Sequence, residues 1–135
     1  MSIVGPTAVP DYTYKAIVER WVDGDTVWLT VDLGFRMTMT SDFRLYGINT
    51  PERGQPGFHE ATSYAEANAP VGSSVVIKSF KDPDKYGRWI VQIYIDTAIL
   101  VGTTYISELN DALVASGLAV PYFGGTKTPA VAPAN

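Results

Sequence analysis

The chain has 135 residues, 46% hydrophobic and 18% charged, a balance that suits one globular core and excludes disorder over most of the length. Its net charge of −4 and pI near 4.8 exclude capture of a polyanion by a whole-molecule field, so any nucleic-acid contact needs a local basic patch. With no cysteine in the chain, disulfide frameworks and thiolate metal sites are excluded as well.

Residues 1–10, "MSIVGPTAVP", carry two prolines and a glycine without periodicity and read as a flexible lead-in. They have neither a basic n-region nor an apolar stretch sized for a signal peptide, and no apolar run could span a bilayer, so a cytoplasmic chain is expected. The ordered domain should cover residues 11–123, followed by a small-residue, Pro-rich flexible tail over 124–135.

Within the domain, Tyr12 to Val22 is rich in β-branched and aromatic residues, and "TVWLTVD" alternates Val27, Leu29 and Val31 against Trp28, Thr30 and Asp32. Asp23-Gly24-Asp25 between them suits a tight hairpin turn. A third strand is predicted from Arg36 to Ile48, with a bulge near Ser41-Asp42. The period then changes: Phe58, Ala61, Ala65 and Ala69 recur at helical spacing, and Pro70 closes that helix. "SSVVIKSF" and "RWIVQIYI" return to strand across the polar loop "KDPDKYG". A second helix is predicted from Ser107 to Ser116, with Ser107 as N-cap and Gly117 as C-cap. This order, β-β-β-α-β-β-α, predicts a mainly β, α+β domain: a five-stranded Greek-key barrel of the OB type with two helices.

Several side chains suggest chemistry. If the third strand pairs beside the first hairpin, the Asp-Gly-Asp turn and the "INTPE" corner meet at one rim. Oxygens from Asp25, Asn49 and a carbonyl near Thr50 would then suit a hard cation such as Ca²⁺. The plainer reading of Asp23 and Asp25 is that they cap a turn. Arg44 and Arg88, if they face the same pole, could fork onto a phosphate; singly, each reads as a solvated strand arginine. Lys78, Lys81, Lys85 and Arg88, interleaved with Phe80 and Tyr86, form the one basic concentration. That is either an exposed strand pair or a track for a single-stranded backbone, with Tyr86 and Tyr122 available for base stacking. The single histidine, His59, reads as a surface residue, and Trp28, out of phase with its inward neighbours, faces outward.

Four motifs, "DGDTV", "RLYGINTPE", "DKYGR" and "NDALVASGLA", occur in an order that resembles the staphylococcal nuclease (thermonuclease) family, over about Ala16 to Tyr122. The resemblance implies a calcium-dependent endonuclease, a phosphodiesterase acting on DNA or RNA with preference for single-stranded or locally opened substrate. By position it implies that Asp25 binds the metal, that Thr50 gives it a backbone carbonyl, and that Glu52 is the general base. It likewise implies that Arg44 and Arg88 hold the phosphate, that Lys85 and Tyr86 touch the substrate, and that Tyr122 stacks on a base. At Asn49 the chain departs from the family, which has an Asp ligand there, and so carries one charge fewer. That departure leaves room for a rival: a catalytically weak or inactive OB-fold module that binds single-stranded nucleic acid. A protein-interaction domain is a third reading. A monomer is expected.

Overall fold

A computed structural model describes residues 12–95 and 108–123. In chain order the elements are β1 (Thr13–Asp23), β2 (Thr26–Gly34), β3 (Met37–Leu45), β4 (Ile48–Asn49), α1 (Phe58–Asn68), β5 (Ser74–Ser79), β6 (Trp89–Tyr94), α2 (Leu109–Ala115) and β7 (Val120–Pro121). Strands β1-β2-β3-β6-β5 close into the expected OB-type barrel, and β4 with β7 forms a separate two-stranded sheet.

The barrel follows from alternation. On β2, Val27, Leu29 and Val31 point inward and are almost fully buried, and the facing β3 contributes Phe43 and Leu45. On β1 the inward set is Ala16, Val18 and Trp21, which is out of period by one residue because Glu19 and Arg20 both face solvent. The pairing with β2 shifts register at that point, between Val18 and Arg20. This bulge returns Trp21 to the core, where its indole N–H donates to the Ala69 carbonyl at 2.9 Å and ties the end of α1 to the barrel. No register shift interrupts the β2–β3 pairing at Ser41-Asp42, where the sequence predicts a bulge; that pairing shifts instead between Asp32 and Gly34, and the β1–β2 pairing between Val18 and Arg20 and between Trp21 and Asp23.

The predicted third strand is two strands. Gly47 adopts φ +78 and turns the chain off the barrel after Leu45, so that Ile48 and Asn49 pair with Pro121 and Val120 rather than continuing along β6. Before that turn, β3 runs parallel to β6 only from Phe43 to Leu45. The second helix is shorter than predicted. It begins at Leu109 with Glu108 in the N-cap position; Ser107, the expected cap, lies outside the described residues.

Helix α1 buries Phe58, Ala61 and Ala65 and presses directly on the first hairpin. A Cβ at Gly24 would fall 2.9 Å from both the Ala61 Cβ and the Thr50 Cγ2, so only glycine lets the Asp23–Asp25 turn sit this close to Thr50. Among the described residues no helix is long and apolar enough to cross a membrane.

Candidate functional site

The turn after β1, the β3–β4 turn with its downstream corner, and the loop before β6 all open onto one cavity of about 1000 Å³. The nine residues given a metal, catalytic or substrate role from the sequence all line it: Asp25, Arg44, Asn49, Thr50, Glu52, Lys85, Tyr86, Arg88 and Tyr122. Lys78 and Lys81 do not, so the basic track reaches the cavity through Lys85 and Arg88 alone. His59 is exposed and outside it, and Trp28 is half-buried with the Arg20 guanidinium 5.5 Å from its ring.

At the floor, Asp25, Asn49 and Thr50 are buried. Asp25 Oδ2 accepts from the Thr50 amide at 2.9 Å and pairs with Arg44 Nη1 at 2.6 Å, while Thr26 donates to Oδ1 at 3.2 Å. The Leu45 amide donates to the Asp25 carbonyl at 2.8 Å, which fixes the hairpin turn against β3. Thr50 Oγ1 is buried with no hydrogen-bond partner, a polar atom left over beside the carboxylate.

The two aspartates titrate as a pair. Burial, the hydrogen bond to Asp25 and the charge of Asp25 together push the Asp23 carboxyl up to about 7. Burial, the largest single influence, would also raise Asp25, but the Arg44 charge together with hydrogen bonds from Asp23, the Thr50 amide and Arg44 outweighs it and holds Asp25 below the usual carboxylate range. The Arg44 charge and the hydrogen bonds converging on Asp25 together make it the anion of the pair.

At the rim, Asp84 shapes the loop. Its Oδ1 accepts from the Tyr86 and Arg88 amides, both at 2.9 Å, and its Oδ2 takes Arg88 Nε at 3.1 Å. Burial would raise the Asp84 carboxyl, but the amides of Arg88 and Tyr86 and the Arg88 charge hold it low. Arg88 is therefore gripped through Nε, and its two terminal nitrogens take no part in that pair. Tyr86 is 71% exposed, with Lys85 Nζ 5.3 Å and Arg88 Cζ 5.4 Å from its ring centre. Tyr46 and Phe123 also line the cavity, and Tyr46 packs against Phe80 and Phe123 with ring centroids 4.6 and 5.6 Å away.

Sequence reasoning assigned no role to Asp84 or Asn110, although both lie in the quoted motifs. Asn110, 1% exposed, accepts from the Ile93 amide at 3.1 Å and donates to the Tyr46 and Val91 carbonyls at 2.9 and 3.1 Å. It thereby holds the turn that separates Arg44 from Asn49.

Oxygen donors alone converge at the floor, the class that hard cations take. Among the described residues no group of three or more His, Cys, Asp and Glu is placed to hold a metal, so the amide and carbonyl oxygens of Asn49 and Thr50 would have to complete such a set. The sequence model of the family described as "Staphylococcal nuclease homologue" matches residues 42–131, more than half of the chain. That match begins at Asp42, so the Asp23–Asp25 turn enters the site from outside it. A search of curated proteins gave no match. With its closed barrel and this match, the chain belongs to the staphylococcal nuclease homologue family, whose domains are nuclease-like or bind nucleic acid.

Proposed function

We propose that this chain is a calcium-dependent endonuclease that hydrolyses phosphodiester bonds in DNA or RNA, acting on single-stranded or locally opened strands. The observation that carries the reading is the meeting of Arg44, Lys85 and Arg88 with Asp25, Glu52, Tyr86 and Tyr122 around one cavity. Cations for a phosphate, carboxylates for a metal and a proton, and aromatic faces for bases are the parts that phosphodiester hydrolysis requires.

In this reading Asp25, the side-chain oxygen of Asn49 and the Thr50 carbonyl would hold Ca²⁺, which when bound would polarise a phosphoryl oxygen. Glu52, exposed at the cavity edge, takes the proton from the attacking water. Arg88, oriented through Nε by Asp84, offers its terminal nitrogens to the phosphate and neutralises charge on the leaving oxygen. Arg44 supplies the second guanidinium. Tyr86 and Tyr122 receive unstacked bases, and a duplex with its bases paired cannot offer these.

One observation favours a second reading, a binding module with weak or no catalysis: the buried neutral Asn49 replaces a charged ligand, and Asp25 is already neutralised by Arg44. The discriminating assay incubates purified protein with denatured DNA, duplex DNA or RNA in calcium, magnesium or chelator. Calcium-dependent cleavage of the denatured strand, abolished by chelator, is the expected result. Retention of single strands without cleavage in any metal would replace the enzyme with the binding module.

A further inference from the structure

Two of the oxygens that a divalent cation would need at this floor, Asp25 Oδ2 and Asn49 Oδ1, are already in use. Arg44 Nη1 lies 2.6 Å from Asp25 Oδ2 and 3.4 Å from the Asp25 carbonyl; Nη2 donates to the Ile48 carbonyl at 3.1 Å and to Asn49 Oδ1 at 3.3 Å. Oxygens from three residues thus surround one planar cation, whose side chain is 12% exposed. Two of these three, Asp25 and Asn49, are the residues whose side-chain oxygens the calcium reading requires.

We propose that Arg44 is the resident cation of this oxygen cradle, and that Ca²⁺ binds only by displacing its guanidinium from Asp25 and Asn49. Loading of the metal and release of Arg44 toward a substrate phosphate are then one event. The inference rests on the calcium reading above and adds a switch to it.

Three considerations support the displacement. Asp25 Oδ2 already accepts from Arg44 and from the Thr50 amide, and Oδ1 accepts from Thr26, so both oxygens are engaged in the metal-free state. Two cations on one carboxylate oxygen repel strongly where water is largely excluded. Asn49 is also neutral: a carboxylate there could hold the guanidinium while Asp25 held the metal, but an amide oxygen cannot balance a second charge. Asp23, the other carboxyl of the turn, is engaged too: its Oδ1 accepts from the Asp25 amide at 3.1 Å.

Displacement also gives Arg44 a destination. A guanidinium released from the cradle stays at the cavity wall, where it and Arg88 can both reach a bound phosphate.

The test is calorimetric titration of calcium chloride, without substrate, into metal-free wild type and Arg44→Gln. The neutral variant should bind calcium at least about tenfold more tightly, because the charge around the ion sets affinity over decades. A second measurement on the unaltered protein does not depend on the variant folding. In ¹⁵N-labelled wild type the Arg44 guanidinium N–H signals should be protected without metal and exchange rapidly once calcium is bound. If wild type binds calcium and Arg44→Gln binds no tighter, or if the Arg44 signals stay protected with calcium bound, the displacement is wrong while the calcium reading stands. If only the variant binds, Arg44 blocks the cradle outright, and both the exchange and the calcium reading of wild type are wrong. No binding by either overturns both.

Discussion

Asn110→Ala tests whether one buried amide holds the site's central turn. The side chain makes three hydrogen bonds, but they are not equal in consequence. The Val91 carbonyl also accepts from the Tyr46 amide at 2.8 Å and keeps that partner. The Ile93 amide and the Tyr46 carbonyl lose the bonds that Asn110 provides. The buried Ile93 amide left without a partner costs about 1–3 kcal/mol and the part-buried Tyr46 carbonyl less, so the substitution should destabilise the protein by about 3 kcal/mol, a large share of the stability of a domain this size. Asn110→Asp should cost more despite its matching shape. It replaces the donating NH₂ with an oxygen aimed at two carbonyls and brings a charge into a site that is 1% exposed. Urea unfolding followed by circular dichroism reads both, with m-values unchanged. A loss below about 1 kcal/mol for Asn110→Ala, or an Asp variant no worse than the Ala variant, would refute the reasoning.

The Asp23 carboxyl, raised to about 7 from 3.8, binds its proton more tightly folded than unfolded, so metal-free protein should lose stability as pH rises from about 4 through 7. Asp23→Asn should flatten that decline in urea midpoints measured with chelator present; an unchanged slope would remove Asp23 as its source. Glu52→Gln should lower turnover by about 10² to 10⁴-fold with substrate binding nearly intact, read from single-turnover rates beside binding isotherms. Unchanged turnover would take Glu52 out of the mechanism. Affinity for single strands should fall as salt rises, with a shallow slope near −2 on a log–log plot, since about three cations reach the cavity and each single-strand phosphate contributes about −0.7. A flat line would assign the binding to stacking alone.

Features that depend on local pattern were legible in the sequence. The alternation of Val27, Leu29 and Val31 marks a strand with one face in a core, and the spacing of Phe58, Ala61 and Ala65 marks a helix with one buried stripe. Features set by long-range competition were not. "RLYGIN" reads as one strand with a glycine in it; that Gly47 is a turn depends on β7 being there to pair with Ile48 and Asn49, some seventy residues later in the chain. The bulge was misplaced for a different reason. Two consecutive polar residues, Glu19 and Arg20, between inward Val18 and Trp21 break the period of two, and that signal was open to a stricter count.

The same distinction runs through the site. Each motif could be read as a set of groups offered to a ligand, because a motif shows residue types but not what those residues already hold. In the fold, Asp25 neutralises Arg44, Asp84 grips Arg88 through Nε, and Asp23, its carboxyl raised by burial beside Asp25, accepts from the Asp25 amide. The three aspartates of the cavity are internal partners before they are ligands. Because the protein is acidic overall, this compensation has a purpose that composition alone does not reveal. Left unpaired, the aspartates would repel a phosphate backbone from the cavity that Arg44, Lys85 and Arg88 are placed to serve. Pairing them removes the repulsion at the cost of holding the cations back. In the proposed reading, Arg44 engages the substrate once something else takes over Asp25, and a divalent cation is the group whose charge and oxygen preference suit that exchange.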